Sequence, residues 1–412
     1  MNILFVHEVD WLNKVVFDIH SLAESLSVSG NQVYVIDYES LWTRNGPFDF
    51  GTMKTREVDN AARAHPDAVI HLRRPGFIKI PGLSRLSSGF THYLEIQKTI
   101  HEKDINVIVL YGVATNGLQT TYLAKKFNLP VVFRAIDIPH QLVPYPILRP
   151  VVGWLEKKVY SGADLLLPHT PKEARYLIAM GAKEARVKLL ALPVETILFR
   201  PFTDSDELRR KWGLGKKDQI ILFQGTLYNF SGLDLFLHQF PMLLEQVPSA
   251  KLLLVGDGPQ RPVLERIVAQ LDLQRHVVIT GFQPYQTMPN YINLAALCIN
   301  PFLINDVTRD IFPGKIPQYL ACGKPVISTS LPGLMSVIAG EDQGVIYVNS
   351  IPEMVKEAVS LLKSTQRRQQ LGQSGVNYVR QAHSCEKIAH QLETMLADAI
   401  KEKQSGTVSK RM

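Results

Sequence analysis

The sequence predicts an α/β protein with two doubly wound parallel-sheet domains, one in each half of the chain. Short apolar runs alternate with amphipathic helical segments throughout, as in successive β-α-β units. The chain has 412 residues, enough for two domains of about 200 residues each. A stretch with two prolines, residues 192–202, lies near the middle and is typical of a linker.

The first half, residues 1–195, is predicted to be a Rossmann-like domain. Residues 2–8 form a nearly continuous apolar strand, as a buried parallel sheet requires. A helix over 18–28 and a strand over 32–37 complete the first β-α-β unit. The pattern predicts further strands and helices in turn: strands 68–72, 106–111, 131–135, 164–167 and 187–192, and helices 90–102, 114–127, 151–160 and 171–180.

The second half, residues 196–380, repeats this alternation and is predicted to be a second Rossmann-like domain. Its strands are predicted at 219–223, 251–255, 277–282, 297–301, 325–329 and 344–348. One helix is predicted to begin at 233, and others are predicted at 285–293, 316–320, 351–363 and 366–380. A last amphipathic helix is expected over 385–400, and the polar residues 402–412 are expected to be disordered.

Composition narrows the functional classes. The chain is 46% hydrophobic and 20% charged, has no apolar run of about 18 residues, and begins as a strand without the features of a signal peptide. Its three cysteines have no disulfide or zinc spacing, so a reducing cytoplasm is the expected compartment. The net charge of +7 is not arranged as a nucleic-acid-binding helix or aromatic-basic array, so nucleic acid is not an expected partner.

Residues 68–94 carry four cations, Arg73, Arg74, Lys79 and Arg85, and no acidic residue. Apolar side chains are interleaved with these cations. One interpretation is a solvated loop with some core anchors. The other is a surface that holds an anionic acceptor or rests on anionic lipid, which would place the protein peripherally at the inner face of the membrane.

The most informative stretch is 305–330, which is predicted to be a polar loop, a glycine turn, a short helix and a buried strand. Phe312-Pro313-Gly314-Lys315 immediately precedes the helix. Gly314 lets backbone N–H groups approach an anion, Lys315 adds a positive charge, and the helix presents its positive end. Together these features predict an anion site, for instance for a diphosphate, although the same pattern also fits an ordinary loop-helix-strand unit.

This stretch resembles the signature of the family 4 (group 1) retaining glycosyltransferases. The matching residues run from Asp310-Ile-Phe-Pro-Gly-Lys-Ile-Pro-Gln318 through Tyr-Leu-Ala-Cys-Gly-Lys-Pro-Val-Ile. The resemblance implies the GT-B fold, in which two Rossmann-like domains flank an interdomain cleft. It implies that the second domain binds a nucleotide-sugar, that the acceptor enters from the first, and that a helix at 381–401 crosses back to the first domain.

The resemblance also suggests which residues bind the donor. Turns at the carboxyl ends of predicted strands carry Gly225-Thr226, Gly256-x-Gly258 and Gly281-Phe282. To these the resemblance adds Phe312, Pro313, Gly314, Lys315 and Gln318. No cofactor or metal is expected, because the family acts without an obligatory ion. Moreover, the Asp-x-Asp sequence at Asp204-Ser-Asp206 lies beside the linker and ahead of a helix, where capping is the expected role.

Three residues are expected to be catalytic by resemblance: Asp137 and His140 in the loop after strand 131–135, and Asp310. From the residues alone, an Asx turn with an exposed histidine is an equal alternative for the first two. Arg134, just before them, could be a phosphate-binding cation. Glu156, in contrast, is expected to be part of the scaffold.

The sequence departs from the family pattern at several positions. Gln318 stands where the second of two acids is usual, and Thr226 and Ser231 stand where two phosphate-binding cations are usual. Asp10-Trp11-Leu12-Asn13-Lys14 replaces a Gly-Gly turn after the first strand. These departures make Lys315 the expected phosphate partner, with Arg309 a weaker candidate.

The leading hypothesis is a glycosyltransferase that moves a sugar from a UDP- or GDP-sugar to a glycan or lipid-linked acceptor with retention of configuration. The alternative is a catalytically degenerate homologue that binds a nucleotide-sugar or glycan. A sugar-nucleotide epimerase of the same architecture is less favoured, because residues 310–330 follow the transferase pattern.

Overall fold

A computed structural model describes residues 1–39, 49–80, 83–143, 145–203 and 206–408. The chain divides into two compact units. The first unit comprises residues 1–193 and the residues from 385 onward, and the second comprises residues 194–384. These divisions lie next to the boundaries expected at 195 and 380.

The first unit is built on a seven-stranded sheet in the described part of the chain. The strands are β1 (Asn2–Val6), β2 (Gln32–Ile36), β3 (Arg56–Val58), β4 (Ile70–Arg74), β5 (Val107–Leu110), β6 (Val131–Arg134) and β7 (Leu165–Leu167). Their order is β3-β4-β2-β1-β5-β6-β7, and only the edge strand β3 pairs antiparallel. The helices between them are α1 (Asp18–Val28), α2 (Leu83–Glu102), α3 (Gly117–Lys126), α4 (Arg149–Gly162) and α5 (Pro171–Ala179).

Both faces of this sheet are buried, which explains the continuous apolar runs of its strands. Alternate residues of β1 point to opposite sides: Ile3 and Phe5 join one core cluster, and Leu4 and Val6 join the other. The first cluster is covered by α1, and the second is covered by α2, α3 and α4. This is the doubly wound arrangement that the sequence predicted.

The second unit has a six-stranded, fully parallel sheet in the order β10-β9-β8-β11-β12-β13. The strands are β8 (Gln219–Gln224), β9 (Ala250–Val255), β10 (Val277–Ile279), β11 (Ala295–Asn300), β12 (Val326–Thr329) and β13 (Val345–Val348). The helices are α6 (Asp206–Lys211), α7 (Leu233–Gln246), α8 (Arg261–Gln270), α9 (Met288–Leu294), α10 (Lys315–Ala321), α11 (Pro332–Met335), α12 (Ile351–Lys363) and α13 (Thr365–Ala382). The order reverses at β8, so ligands are expected at the carboxyl ends of β8 and its neighbours.

The terminal helix α14 (Cys385–Val408) belongs to the first unit, where Ile388, Leu392 and Leu396 enter the core beneath α1. It is longer than predicted, since residues 402–408 are helical rather than disordered. Lys403 Nζ pairs with Asp164 Oδ1 at 2.9 Å, which fixes this part of the helix. Residues 409–412 lie outside the described residues.

Two other expectations about strands differ from the structure. Residues 187–192 are not a strand, because Val187 alone forms a β-bridge, to Leu166. The carbonyl of Leu190 accepts a hydrogen bond from the side chain of the buried Arg134 rather than from a neighbouring strand. The edge strand β3 was not predicted, since it is three residues long and mostly exposed. No helix in the described residues is both long and apolar enough to cross a bilayer.

Candidate active site

Three glycine turns meet at the carboxyl edge of the second sheet, where β8, β9 and β10 end. Gly225, Gly256 and Gly281 follow these strands directly or closely, with φ of +131°, +148° and +70°. Gly225 N–H donates to the Val255 carbonyl at 2.9 Å, and Gly256 forms an antiparallel bridge with Gly281. The predicted donor-binding glycines of three separate motifs are therefore neighbours.

Close backbone packing explains why two of these motif positions are glycine. A Cβ at Gly256 would lie 2.0 Å from the Gly225 carbonyl oxygen, and one at Gly258 would lie 2.7 Å from the Leu227 backbone nitrogen. No side chain fits at either distance. This edge of the sheet is therefore lined by backbone rather than by side chains.

Lys315 begins α10, but its side chain runs back beneath the Gly225 turn. Its Nζ lies 3.7 Å from the ring centroid of Phe223 on β8 and 4.1 Å from that of Phe302 after β11. A Cβ built on Gly225 would be 3.7 Å from the same nitrogen. The structure thus brings Lys315 close to a glycine turn that lies far from it in sequence.

The Lys315 amine is desolvated. The residue as a whole is half-buried, but its amine is enclosed by protein, and this burial lowers the pKa of the amine well below its usual value. It forms no ion pair or hydrogen bond with the described residues. Each ring contributes at most roughly 2 kcal/mol of cation–π attraction, whereas desolvating an ammonium costs several kcal/mol, so burial is the larger effect.

The loop before α10 is organised by its own side chains. Asn305 N–H donates to Thr308 Oγ1 and Thr308 N–H donates to Asn305 Oδ1, each at 3.0 Å. Phe312 is buried and stacks on His383 with centroids 5.7 Å apart, and Pro313 is also buried. Gly314 is exposed with φ −59°, so its backbone torsion does not require glycine.

The two positions matching the family's paired acids have different environments. Asp310 is half-buried, and its carbonyl packs so tightly on Gly333 that a Cβ there would approach the carbonyl oxygen to 2.3 Å. Gln318 Oε1 accepts a hydrogen bond from Gln224 Nε2 at 3.1 Å. Gln224 Oε1 is buried without a partner among the described residues. Gln318 is thus linked to the end of β8.

Thr226 and Ser231, at the places of the usual cations, are not equivalent. Thr226 is exposed. Ser231 is fully buried, and its hydroxyl accepts the Tyr228 N–H at 3.1 Å and donates to the Thr226 carbonyl at 3.5 Å. Ser231 therefore closes the loop after β8 and is not available to a ligand.

The Gly281 turn adds a cation that the sequence did not single out. Arg261 Nη1 would be 3.1 Å from a Cβ on Gly281, and it pairs with Asp257 Oδ2 at 2.8 Å. A hydrogen bond from the Gly258 N–H and then the Arg261 guanidinium lower the pKa of Asp257. Phe282, next to this turn, is 65% exposed and offers an aromatic face to solvent.

In the first unit, the loop after β6 presents His140 on a short 3-10 helix (Pro139–Leu142). The buried Glu156 of α4 accepts the His140 backbone N–H at 2.6 Å and lies 3.1 Å from His140 Nδ1. The Tyr176 hydroxyl donates to the same carboxylate and lies 3.1 Å from Nδ1. These partners assign the ring hydrogen to Nδ1, which leaves Nε2 as an acceptor.

Asp137 as a whole residue is exposed, but protein atoms surround its carboxyl group. Burial of this group and the negative charge of Glu173 raise the pKa of Asp137 to about 6, against lowering effects of His169 and Lys14. Because the side chain reaches solvent, this desolvation contributes little to stability. The loops after β6 and β7 meet here, as expected for a ligand edge of the sheet.

Arg134, considered as a phosphate-binding cation, is a structural residue instead. It is 1% exposed, pairs with Asp18 Oδ2 at 2.7 Å, and donates to the Leu190 carbonyl at 2.6 Å. Tyr111 OH donates to Asp18 Oδ1 at 2.6 Å. Arg134 is thus unavailable to a ligand, and the sequence could not indicate this because Asp18 is distant along the chain.

Three of the four cations in residues 68–94 are also buried in ion pairs. Arg73 pairs with Glu95 and Glu102 at 2.9 Å each. Arg74 pairs with Asp10 and Asp37, and Lys79 with Glu39 and Asp49. Of the four, only Arg85 is exposed, with Nη1 2.7 Å from Thr115 Oγ1. The expectation that these four cations form a lipid-binding surface is therefore wrong for three of them.

The segment that replaces the Gly-Gly turn is filled by a buried side chain. Trp11 is 1% exposed, its backbone N–H donates to Asp37 at 2.8 Å, and its Nε1 donates to the Ala61 carbonyl at 2.7 Å. Of the Asp-x-Asp sequence, Asp204 lies outside the described residues, and Asp206 pairs with Lys216 at 3.0 Å.

Two family sequence models match the chain. The glycosyl transferases group 1 model covers residues 218–364, and the glycosyl transferase 4-like domain model covers residues 19–193. The chain is a group 1 glycosyltransferase. It belongs to this nucleotide-sugar-dependent family, and its two Rossmann-like units have the GT-B fold.

Curated relatives of this glycosyltransferase include other transferases. N-acetyl-alpha-D-glucosaminyl L-malate synthase of Bacillus anthracis is 25% identical over 69% of this chain and 79% of its own length. A GDP-mannose-dependent alpha-(1-6)-phosphatidylinositol monomannoside mannosyltransferase of Mycobacterium tuberculosis is 24% identical over 78% of this chain and 81% of its own.

Solved structures show the same fold as this glycosyltransferase. Sucrose-phosphate synthase from Thermosynechococcus elongatus has a TM-score of 0.75 at 18% identity, covering 98% of this chain and 100% of that one. Anabaena HepE in complex with UDP has a TM-score of 0.71 at 16% identity, covering 97% of this chain and 100% of that one.

Sequence reasoning missed several residues around the glycosyltransferase's candidate site. Phe223 and Phe302 contact Lys315 but appear in the sequence as ordinary strand and loop apolar residues. Glu156 was assigned to the scaffold, yet with Tyr176 it holds His140. For Arg261 one signal was available, because Arg261 and Glu265 stand four residues apart in the predicted helix, a spacing that commonly forms an ion pair.

Proposed function

We propose that this glycosyltransferase moves a sugar from a nucleoside diphosphate donor to a glycan or lipid-linked acceptor with retention of configuration. The observation that carries the proposal is the convergence of the Gly225, Gly256 and Gly281 turns, with the Lys315 amine beneath Gly225. A strand-end edge of bare backbone, with an amine that pairs with no acid among the described residues, suits a phosphorylated ligand.

The donor's diphosphate lies over residues 312–315 and the Gly225-Thr226 turn in this proposal. Transfer requires stabilisation of the charge that develops on the departing diphosphate. The backbone N–H group of Gly314 can supply a hydrogen bond, and Lys315 supplies the cation. Since Thr226 and Ser231 carry no charge, Lys315 is the main positive group proposed to act there.

The nucleotide is UDP or GDP in this proposal, and no cofactor or metal is required. Support comes from the solved complex of HepE with UDP and from the GDP-mannose-dependent relative. Gln318 binds a ribose hydroxyl through its amide, and Gly256-Asp257-Gly258 and Gly281 line the nucleotide. The exposed ring of Phe282 and the guanidinium of Arg261 lie beside the turn proposed to meet the base.

His140, Asp137 and Asp310 are the proposed catalytic residues. Glu156 holds His140 with Nε2 as an acceptor, so this nitrogen can accept a hydrogen bond from a hydroxyl of the transferred sugar. The carboxylates of Asp137 and Asp310 are proposed to contact sugar hydroxyls. Glu156 and Tyr176 are positioning residues in this arrangement, because they act through His140.

The decisive experiment incubates the protein with UDP- and GDP-sugars and measures nucleotide release with a panel of acceptors. We expect release with one donor class, a product of retained anomeric configuration by NMR, and at least a hundredfold loss in Lys315→Met (about 2.7 kcal/mol). Lys324→Met is the matched control, since Lys324 Nζ donates to the Asn293 carbonyl at 2.9 Å. Inverted product would contradict retention.

A catalytically degenerate homologue is the second candidate, favoured by the absence of cations at Thr226 and Ser231. It predicts measurable binding of a nucleoside diphosphate without release of nucleotide from any donor. Isothermal calorimetry with UDP and GDP, run beside the release assay, distinguishes the two candidates. Failure to bind either nucleotide would contradict the transferase and would leave, of the degenerate homologues, only one that binds a glycan.

We also propose peripheral membrane contact, through a surface that includes only Arg85 of the four cations of residues 68–94. Helices α2, α3 and α4 pack side by side in the first unit and expose large apolar side chains. On α2 these are Leu83, Leu86, Phe90 and Leu94, whose spacing places them on one helix face. On α3 and around the start of α4 they are Tyr122, Tyr145, Ile147, Leu148, Val151 and Trp154.

The charge on this three-helix layer matches an anionic lipid surface. Its exposed cations are Arg85, Lys98, Lys125, Lys126, Arg149, Lys157 and Lys158. Of its acidic residues, Glu95 and Glu156 are buried, and Glu102 pairs with Arg73. Apolar side chains flanked by cations are the features of an interfacial membrane-binding surface.

Flotation with phosphatidylglycerol-containing and pure phosphatidylcholine vesicles tests this contact. We expect binding to the anionic vesicles only, with a tenfold or greater loss in the double variant Leu86→Glu, Phe90→Glu. Leu235→Glu, at a similarly exposed leucine of the second unit, is the control. Equal binding by the double variant and the control, or no binding by the wild type, would contradict the proposed membrane contact and would favour a soluble glycan as the acceptor.

A further inference from the structure

We propose that donor binding is coupled to the uptake of about one proton, which is taken up by Lys315 Nζ as the diphosphate enters. The proposal requires that in the donor-free protein this nitrogen, which lies between two aromatic rings, is an uncharged amine. The inference rests on the proposed function, because it assumes that the ligand beside Gly225 carries a diphosphate.

The geometry that supports this proposal is an aromatic pair rather than a carboxylate. Phe223 and Phe302 have ring centroids 3.7 Å and 4.1 Å from Lys315 Nζ. Phe302 in turn packs edge-on against Phe230, with centroids 5.3 Å apart, and Phe223 is fully buried. Ring faces attract a cation but accept no strong hydrogen bond, so they cannot replace the water that an ammonium loses.

The segments packed around this amine carry few charges that could offset burial. Their titratable or charged groups are Tyr319 on α10, Asp306, Arg309 and Asp310 in the preceding loop, Tyr228 and Asp234 after β8, and the mutually paired Asp257 and Arg261 beside the Gly256 turn. None of them forms an ion pair or hydrogen bond with Lys315 among the described residues. Tyr319 OH instead accepts the Gln224 N–H at 2.7 Å. Burial accordingly lowers the pKa of the Lys315 amine.

A diphosphate beside Gly225 reverses this balance. Its negative charge favours the ammonium over the amine, so the amine takes a proton from solvent as the complex forms. The proton adds to the nitrogen lone pair, and no covalent bond to the ligand forms. While Lys315 is neutral in the free protein and charged in the complex, affinity for the diphosphate falls about tenfold per unit rise in pH.

Isothermal calorimetry with UDP and GDP tests the proposal. Titrations are run at pH about 8 in two buffers of different ionisation enthalpy, well above the second phosphate pKa of about 6, so the ligand itself contributes no proton change. We expect uptake close to one proton per nucleotide in the wild type. Lys315→Arg, whose guanidinium stays charged, should bind with no uptake, and Lys315→Met should bind more weakly with no uptake.

The matched control is Lys324→Arg, which changes another half-buried lysine of the same unit and should keep the wild-type uptake. Nucleotide binding without proton uptake in the wild type, or uptake that persists in Lys315→Arg, overturns the inference and leaves the proposed function standing. No binding of UDP or GDP overturns the proposed function and this inference together.

Discussion

The two units share a sheet topology, but different groups occupy the carboxyl ends of their strands. In the first unit this edge is occupied by buried ion pairs, such as Arg74 with Asp37 and Arg134 with Asp18, and by Trp11. In the second unit it consists of glycine backbone and Lys315, which pairs with no acid among the described residues. The paired charges of the first unit support the fold, whereas an ionisable group without a partner at the edge of the second unit is available for a ligand.

The largest expected effect comes from breaking a pair in the first unit. Arg134→Met leaves Asp18 buried without its cation, so we expect the free energy of unfolding of this unit to fall by about 3–5 kcal/mol. Hydrogen exchange of first-unit peptides measures it separately from the second unit. Arg85→Met, at an exposed arginine, should change it by less than about 0.5 kcal/mol. Equal effects would show that the pair is not structural.

The second prediction concerns the backbone edge of the second unit. Gly256→Ala should destabilise that unit by about 3 kcal/mol and abolish nucleotide binding, because φ is +148° and the new Cβ would lie 2.0 Å from the Gly225 carbonyl oxygen. Gly213→Ala, with φ +64° and no atom within 4 Å of the new Cβ, should cost about 1 kcal/mol and preserve binding. Similar losses in the two variants would contradict the close-packing argument.

The third prediction uses pH to separate the units. Burial lowers the pKa of His7 from 6.5 to about 3 and that of His20 to about 4. Both side chains therefore bind a proton more readily in the unfolded chain than in the folded one. Their contribution to the free energy of unfolding is fully present above pH 6.5 and is lost as the pH falls towards 3. His7 alone should cost the first unit about 2 kcal/mol between pH about 7 and about 5.

Urea unfolding across that pH range measures the effect of His7. The non-titrating variant His7→Asn retains an acceptor for the Val9 N–H, which His7 Nδ1 accepts at 3.1 Å. Between pH about 7 and about 5, the free energy of unfolding of this variant should fall by about 2 kcal/mol less than that of the wild type. An unchanged pH dependence would show that His7 does not control the acid sensitivity.

The smallest predicted effect is a gain. Lys315→Met removes an uncompensated buried amine, so the second unit should become more stable by about 1 kcal/mol even as donor binding weakens. Lys324→Met, which loses a hydrogen bond to the Asn293 carbonyl, should become less stable by about 1 kcal/mol. Thermal unfolding of both variants provides the comparison, and a loss of stability in Lys315→Met would mean that its amine is structurally paired.

The sequence was informative wherever a local pattern determines the structure. Apolar runs located nearly every strand, because parallel strands are buried on both faces, and the resemblance of residues 310–330 led to the family. It was uninformative where a side chain's role depends on distant partners. Nothing near Arg73 in the sequence reveals Glu95 and Glu102 as its partners in space. Residues 187–192 have the composition of a strand, but they form only one β-bridge.

The same limit applies to the candidate site. The glycines of three motifs could be found because turns with positive φ favour glycine, but the sequence could not show that Lys315 folds back beneath Gly225. Side-chain direction depends on the surrounding packing, here on two phenylalanines near the ends of different strands. Glu156 was likewise visible as a residue but not as the anchor of His140.

The route of the chain affects its order of assembly during synthesis. The sheet of residues 2–167 is covered on one side by α14, whose Ile388, Leu392 and Leu396 emerge from the ribosome only after all of residues 194–384. Until this final helix is made, the part of the apolar face next to α1 stays uncovered in the earlier-made unit, while the later-made unit can fold from one continuous segment. In this protein the amino-terminal unit is the last to be completed.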